Sequence, residues 1–252
     1  MREFTGSRDR AREKNLDMDI DVTIVVPTWN SEKTISDTIF SIQAGFKECP
    51  YSYEIIVVDD QSVDRTVEVV ERLVHETPSI SIMLIENRKR TGPGYSFSRA
   101  ASIARGRYFK MVHSGNIERG SQIQKYLANI GCADLVVAYI KDSRKGFRKH
   151  LSSTYTLFMS LLSGYSLRYF QGSGVYLRDD VVAHQSKNNG NSYLTELLVS
   201  MLNRGRSYRE IEIEVVRDHP QSHAISLKNL LSVVQCVKFV LLERIRRVGR
   251  AT

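Results

Sequence analysis

From Asp21 onward, runs of β-branched residues alternate with stretches of helical periodicity, and this alternation restricts the chain to few architectures. Residues 22–26 form such a run, closed by Pro27. Continuous apolar runs of this kind suit strands buried on both faces of a sheet. Ile35, Ile39, Ile42 and Phe46 then share one helical face, with Asn30 and Ser31 as candidate caps. Residues 53–58 read as a second strand, followed by a polar turn and a helix that groups Val67, Val70 and Val74. Further strands are expected at 80–85, 108–112 and 134–140, and Gly92-Pro93-Gly94 opens a helix ending near Gly106. Repeated βαβ units predict an α/β fold, a mostly parallel sheet flanked by helices.

Beyond Lys141 the pattern loosens into a helix at 151–162, a strand at 174–177, a helix at 193–202 and a strand at 210–216. A last helix is expected over about 226–247, with Leu227, Leu230, Leu231, Val234, Val237, Leu241 and Ile245 on one stripe. Three readings of that stripe stay open: packing on the core, dimerisation to a homodimer, or peripheral membrane contact. In the last, Lys228, Lys238, Arg244, Arg246, Arg247 and Arg250 meet anionic headgroups. The expected organisation is a flexible tail at 1–19, a main domain at 20–223, and a basic amphipathic helix at 224–252.

A net charge of +8 favours anionic partners. The basic residues are not interleaved with aromatics in a nucleic-acid-binding pattern, so nucleic acid is not an expected partner. Three scattered cysteines, Cys49, Cys132 and Cys236, show neither metal-ligand spacing nor pairing. The first twenty residues lack an apolar core, and the most apolar stretch is broken by Lys228, Asn229, Gln235 and Lys238. The expectation is a cytoplasmic protein, peripheral on the inner membrane face if the last helix docks there.

Polar clusters fall where the strands end. Pro27-Thr28-Trp29-Asn30 follows the first strand and Asp59-Asp60-Gln61-Ser62 the second. Arg88-Lys89-Arg90 follows the third and His113-Ser114-Gly115-Asn116 the fourth. In open α/β sheets, ligands bind beyond the carboxyl ends of the strands. Aspartates there can cap a helix, which suits Ser62 or Asp64. Two adjacent carboxylates, Asp59 and Asp60, read better as acceptors for a base N–H or ribose hydroxyls. Arg88 to Arg90 form either a solvated loop or, beside a helix start at Gly92, a cradle for phosphate.

Six segments carry a family resemblance: VTIVVPTWN, YEIIVVDDQSVDRT, GPGYSFSRAASIARGRYFKMV, DLVVAYIKDSR, YLTELL and EVVRDHPQSH. Over Asp21 to His223 the chain resembles family 2 glycosyltransferases, more narrowly polyprenyl-phosphate glycosyltransferases of the dolichol-phosphate mannose synthase type. The resemblance implies a nucleotide-binding sheet of the glycosyltransferase A type and transfer of a sugar from a nucleotide-sugar donor with inversion. The acceptor would be a lipid phosphate (a polyprenyl phosphate) or a growing glycan. Pro27, Trp29, Asp59 and Asp60 would hold base and ribose. Glu196 falls on the family's helix glutamate, and Arg217 would meet the donor diphosphate or the acceptor phosphate.

The chain departs from that pattern where the family carries a metal-binding Asp-x-Asp, because His113-Ser114-Gly115 stands there. Pro220 and His223 also replace an expected glycine and lysine. Magnesium prefers oxygen ligands, so manganese on His113, with an oxygen from Asn116, is the better fit if a metal is used. Otherwise cations must neutralise the departing diphosphate. Candidates are His113, Arg88, Arg90 and Arg217, with the loop cations Lys141, Arg144, Lys145, Arg148 and Lys149, which equally suit a solvated face. A lipid phosphate acceptor needs no strong base, whereas a sugar hydroxyl does, with Glu196 the candidate unless it simply faces solvent. A non-catalytic nucleotide- or nucleotide-sugar-binding relative is the alternative that the lost carboxylates allow.

Overall fold

The computed structural model describes residues 20–140, 147–184, 188–190, 192–214 and 227–248. The expected tail at 1–19, Lys141, Arg144, Lys145, Arg217, Pro220, His223 and Arg250 lie outside them. The strands are β1 Val22–Thr28, β2 Tyr53–Asp59, β3 Ile82–Glu86, β4 Tyr108–Met111, β5 Leu135–Ile140, β6 Gly174–Leu177 and β7 Tyr208–Ile213. They form one sheet in the order β3-β2-β1-β4-β6-β5-β7. β6 runs antiparallel to both β4 and β5, and the remaining pairs are parallel.

Both faces of the central strands are covered, which explains their unbroken apolar runs. Val22, Ile24 and Val26 pack with α1 (Ile35–Phe46), α2 (Thr66–Glu76) and α4 (Gly120–Leu127). Val25, Ile56 and Val58 face the other way, onto α3 (Pro93–Ile103) and Phe97. Gly45 lets α1 and α4 close together, since a Cβ on it would sit 2.7 Å from Ile123 Cβ. On the second face, α5 (Phe147–Ser163), α6 (Arg178–Ala183), α7 (Tyr193–Asn203) and α8 (Leu227–Val248) complete the element order.

Three expectations need correction. α1 starts at Ile35 after Thr34, without a side-chain cap, and Ser31 acts through its carbonyl, which accepts the Thr34 and Ile35 amides. The sequence reading passes over the short helices α4 and α6, although Ile123, Tyr126 and Leu127 of α4 share one buried face. Of the three readings of the last helix, core packing by the whole predicted stripe is not what is observed: among the described residues of that stripe, only Val237 packs against the main core. Ser232, Cys236 and Val240, spaced four apart, are its buried positions, and Cys236 and Val240 join the same core as Phe97. Leu230, Leu231, Val234, Leu241 and Ile245 face outward. Among the described residues, no helix is long and apolar enough to cross a membrane.

Candidate functional site

Strand register brings the polar clusters level. Thr28 pairs with Asp59, and Asp59 with Glu86. The Asp60 amide donates to the Thr28 carbonyl at 2.9 Å, and the Asn87 amide to the Asp59 carbonyl at 2.8 Å. β4 pairs with β1 on the side away from β2, with Met111 opposite Val25, so residues 113–116 continue past the same end of the sheet. Four loops therefore meet at the carboxyl ends of β1 to β4. The buried Thr28 hydroxyl there has no partner among the described residues.

The two aspartates have separate jobs. Asp59 accepts the Ser62 amide at 2.9 Å on Oδ2 and the Ser62 hydroxyl on Oδ1. Asp60 Oδ1 accepts the Thr91 amide, the Thr91 hydroxyl and Asn87 Nδ2, each at 2.9 Å. Its Oδ2 accepts the Gly92 amide at 2.8 Å. Burial alone would raise the Asp60 pKa, but these donors from Thr91, Asn87 and Gly92 outweigh it and hold the carboxyl below its ordinary range. Local bonding, assigned from sequence only to Ser62 or Asp64, thus reaches Asp59, while Asp60 braces the distant loop before α3.

Gly92 takes φ +107°, and a Cβ there would lie 2.4 Å from the Asn189 carbonyl oxygen. Gly94 donates its amide to that same oxygen at 3.0 Å. The amides of Gly92 and Gly94 thus serve protein acceptors. The cations beside it stay exposed: Arg88, Lys89 and Arg90 all face solvent. Arg90 places its guanidinium 3.4 Å from the Trp29 ring centroid, joining the loops after β1 and β3. Pro27 is half-buried in β1. Asn30, at φ +50°, is a stitch between loops: its amide donates to Ser62 Oγ at 2.9 Å and its Oδ1 accepts the Val63 amide at 2.9 Å.

The segment 113–116 after β4 is braced on α1. Ser114 Oγ lies 2.8 Å from Ser31 Oγ, and Thr38 Oγ1 donates to the Ser114 carbonyl at 2.9 Å while accepting the Asn116 amide at 3.0 Å. Asn116 Oδ1 accepts from Ser41 Oγ at 2.9 Å, so its oxygen points at α1. His113 lines a cavity of about 180 Å³ with Gly94, Met111, Tyr169, Gln171 and Tyr193. His113 and Asn116 thus do not converge, and Gly115 has no side chain. Among the described residues, no group of three or more His, Cys, Asp or Glu could hold a metal ion, and this donor set does not fit a divalent cation.

Glu196 does not face solvent. It is buried on α7, where residues 193–202 are all buried, and its Oε1 accepts Asn188 Nδ2 at 2.7 Å. Asn188 also donates to the Ser232 carbonyl at 2.9 Å and accepts the Ser232 hydroxyl at 2.7 Å, which ties Glu196 to α8.

Several polar residues at this edge escape sequence reasoning. Lys110 in β4 is fully buried, 2.8 Å from Glu118 and 3.6 Å from the centre of the Tyr126 ring. Ser173 donates to the same glutamate at 2.9 Å. A lysine inside the apolar string YFKMV is the one signal that could have revealed this network. Asn87, Thr38, Ser41 and Asn188 leave no such signal, because their site partners are distant in sequence.

The model of the glycosyl transferase family 2 matches residues 23–172. A dolichyl-phosphate beta-glucosyltransferase from Dictyostelium discoideum is 32% identical over 104 residues, covering 39% of this chain and 32% of that protein. A poly(ribitol-phosphate) beta-glucosyltransferase from Bacillus spizizenii is 34% identical over 96 residues, covering 37% and 14% respectively. The matches to these curated relatives thus span a third of their length or less. Among solved structures, mannosyl-3-phosphoglycerate synthase from Rubrobacter xylanophilus superposes with a TM-score of 0.69 at 19% identity, covering 96% of this chain and 78% of that one. Glucosyl-3-phosphoglycerate synthase from Mycobacterium tuberculosis, in complex with Mn2+, uridine-diphosphate and glucosyl-3-phosphoglycerate, gives 0.63 at 16% identity over 92% and 81%. At these identities the structural likeness carries the fold.

Proposed function

The chain belongs to glycosyl transferase family 2, and from that premise we propose that it moves a sugar from a nucleotide sugar to a polyprenyl phosphate or a growing glycan. The observation that carries this reading is the convergence of four polar loops at the carboxyl ends of β1 to β4. Pro27, Trp29 and Asp59 receive the nucleoside, while Asp60 acts as a positioning residue that fixes the start of α3. Residues 20–223 carry the transfer and 224–252 the attachment to a membrane surface, although α8 shares the main core.

In the reaction, an acceptor oxygen attacks the anomeric carbon from the side opposite the donor diphosphate. The bond from that carbon to the diphosphate oxygen breaks, and its electron pair leaves with the nucleoside diphosphate, giving inversion. Arg90, His113 and Arg217 neutralise the growing charge. A phosphate acceptor brings an ionised oxygen and releases no proton. A hydroxyl acceptor must lose one, and Glu196, buried on α7 and accepting from Asn188, is the candidate carboxylate to take it.

The lost carboxylates favour a second reading, a relative that binds nucleotide sugars without turning them over. Release of nucleoside diphosphate from a panel of nucleotide sugars, with a prenyl phosphate present, separates the two. Acceptor-dependent release supports transfer; nucleotide binding with no release under any metal condition supports the binding relative.

A further inference from the structure

Segment 113–116 leaves β4 after Met111 and returns to the core at Glu118, and one side chain grips both of its ends. Lys110 Nζ donates to the Met111 carbonyl at 3.2 Å and lies 2.8 Å from Glu118 Oε2. It also donates to Ser173 Oγ at 3.4 Å, and the Tyr126 ring centroid sits 3.6 Å away. Three oxygens and a ring face thus enclose the ammonium, which suits its three donors and its charge. The side chains of Lys110 and Glu118 are 0% and 2% exposed, so water does not screen the pair.

Ser173 carries this clamp to the other side of the site. Its hydroxyl donates to Glu118 Oε1 at 2.9 Å and lies 2.7 Å from the Tyr126 hydroxyl. Its carbonyl accepts the Ala138 amide at 3.1 Å. Gln171, two residues before it, and Tyr169 line the same cavity as His113. Lys110 therefore binds together β4, the loop that follows it and the chain leading into β6.

Stability does not account for a lysine here. Well-packed apolar side chains of similar volume often hold a core as firmly as a buried ion pair does. What the pair adds is direction, because each partner fixes the place of the others. His113 and Asn116 do not converge, so the order of segment 113–116 comes from its bonds to the protein. Lys110 and Glu118 hold its ends, and Ser31 with Thr38 and Ser41 of α1 holds its length.

We propose that Lys110 is a positioning residue for the donor diphosphate: its ammonium clamps segment 113–116 to the wall that carries Gln171, so that His113 meets the diphosphate from a fixed place. This deepens the transferase reading and rests on it. Lys110 and Met111 alternate across the sheet, so the ammonium sits against Tyr126 while Met111 lines the cavity. Lys110 thus acts through the loop rather than by touching the ligand.

The test is calorimetric titration of the full chain with UDP, GDP, UMP and GMP, beside hydrogen exchange of residues 112–118 in the free protein. Removing one charge strands the other, so the variant is Lys110→Met combined with Glu118→Leu, with Ser173→Ala as a second should the first not fold. Wild type should bind one diphosphate at least about tenfold more tightly than its own monophosphate. The variants should keep the monophosphate affinity and lose most of that preference, while residues 112–118 exchange about tenfold faster and β1 and β2 do not. Unchanged exchange, or an undiminished preference for the diphosphate in a folded variant, overturns the clamp. Equal losses of monophosphate and diphosphate affinity also overturn it, because they mark a purely structural residue. Those outcomes leave the transferase reading standing. A wild type that binds none of the four nucleotides removes that reading, and the positioning role with it.

Discussion

Gly92 donates its amide to Oδ2 of Asp60 across 2.8 Å, so the second carboxylate at the end of β2 is a strut for the start of α3. Together with Thr91 and Asn87, Gly92 gives this buried carboxylate four donors. Replacing it with alanine leaves those donors without an acceptor. Asp60→Ala should therefore lower stability by about 2 kcal/mol in denaturant titration.

The same carboxylate predicts a pH dependence. Burial opposes ionisation, but the donors from Thr91, Asn87 and Gly92 prevail, so its folded pKa lies below the ordinary value of 3.8. A depressed acid stabilises the fold fully above its unfolded pKa, and that contribution is lost as pH falls through the folded value. Urea midpoints measured from about pH 5 down to about pH 3 should fall more steeply for wild type than for Asp60→Asn.

Lys110 and Glu118 form a buried ion pair in β4 and the loop beyond it. Removing one partner strands the other charge. Lys110→Met or Glu118→Leu alone should cost about 3–5 kcal/mol, while the double variant should be markedly less destabilised. A double-mutant cycle by thermal unfolding checks this, and additive losses would contradict the pairing.

Much of the architecture is legible in the residues. The β-branched runs mark the strands, and the polar tetrads after them mark the edge where the loops meet. The partners of those polar residues are not legible. Asp60 reads as a ligand acceptor because Thr91 and Gly92 become its donors only once β2, β3 and α3 are assembled. The stripe of α8 leaves core, membrane and dimer contacts open because periodicity reports that a side is apolar, not what covers it. Ser232 and Cys236, on the side that is buried, look less apolar than the leucines that are exposed.

Glu196 distinguishes the acceptor classes. With a phosphate acceptor, Glu196→Gln should keep transfer within about tenfold of wild type, because no proton must be removed. With a hydroxyl acceptor, loss of a general base costs about 10²–10⁴-fold. Initial rates with a prenyl phosphate and with an oligosaccharide decide between them.

The loop at His113 offers a gain-of-function test. His113→Asp combined with Gly115→Asp rebuilds two carboxylates at the end of β4. UDP affinity of the double variant should rise with Mn2+ by about tenfold or more, whereas wild-type affinity should change little. Equal metal dependence in both proteins would show that other residues supply the ligands.

The most direct measurement is calorimetric titration of the full chain with a panel of nucleoside diphosphates and nucleotide sugars, each with and without Mn2+. The strand-end site predicts saturable binding of at least one nucleoside diphosphate, weakened about tenfold by Asp60→Ala. No binding by any member of the panel, under either metal condition, would contradict it.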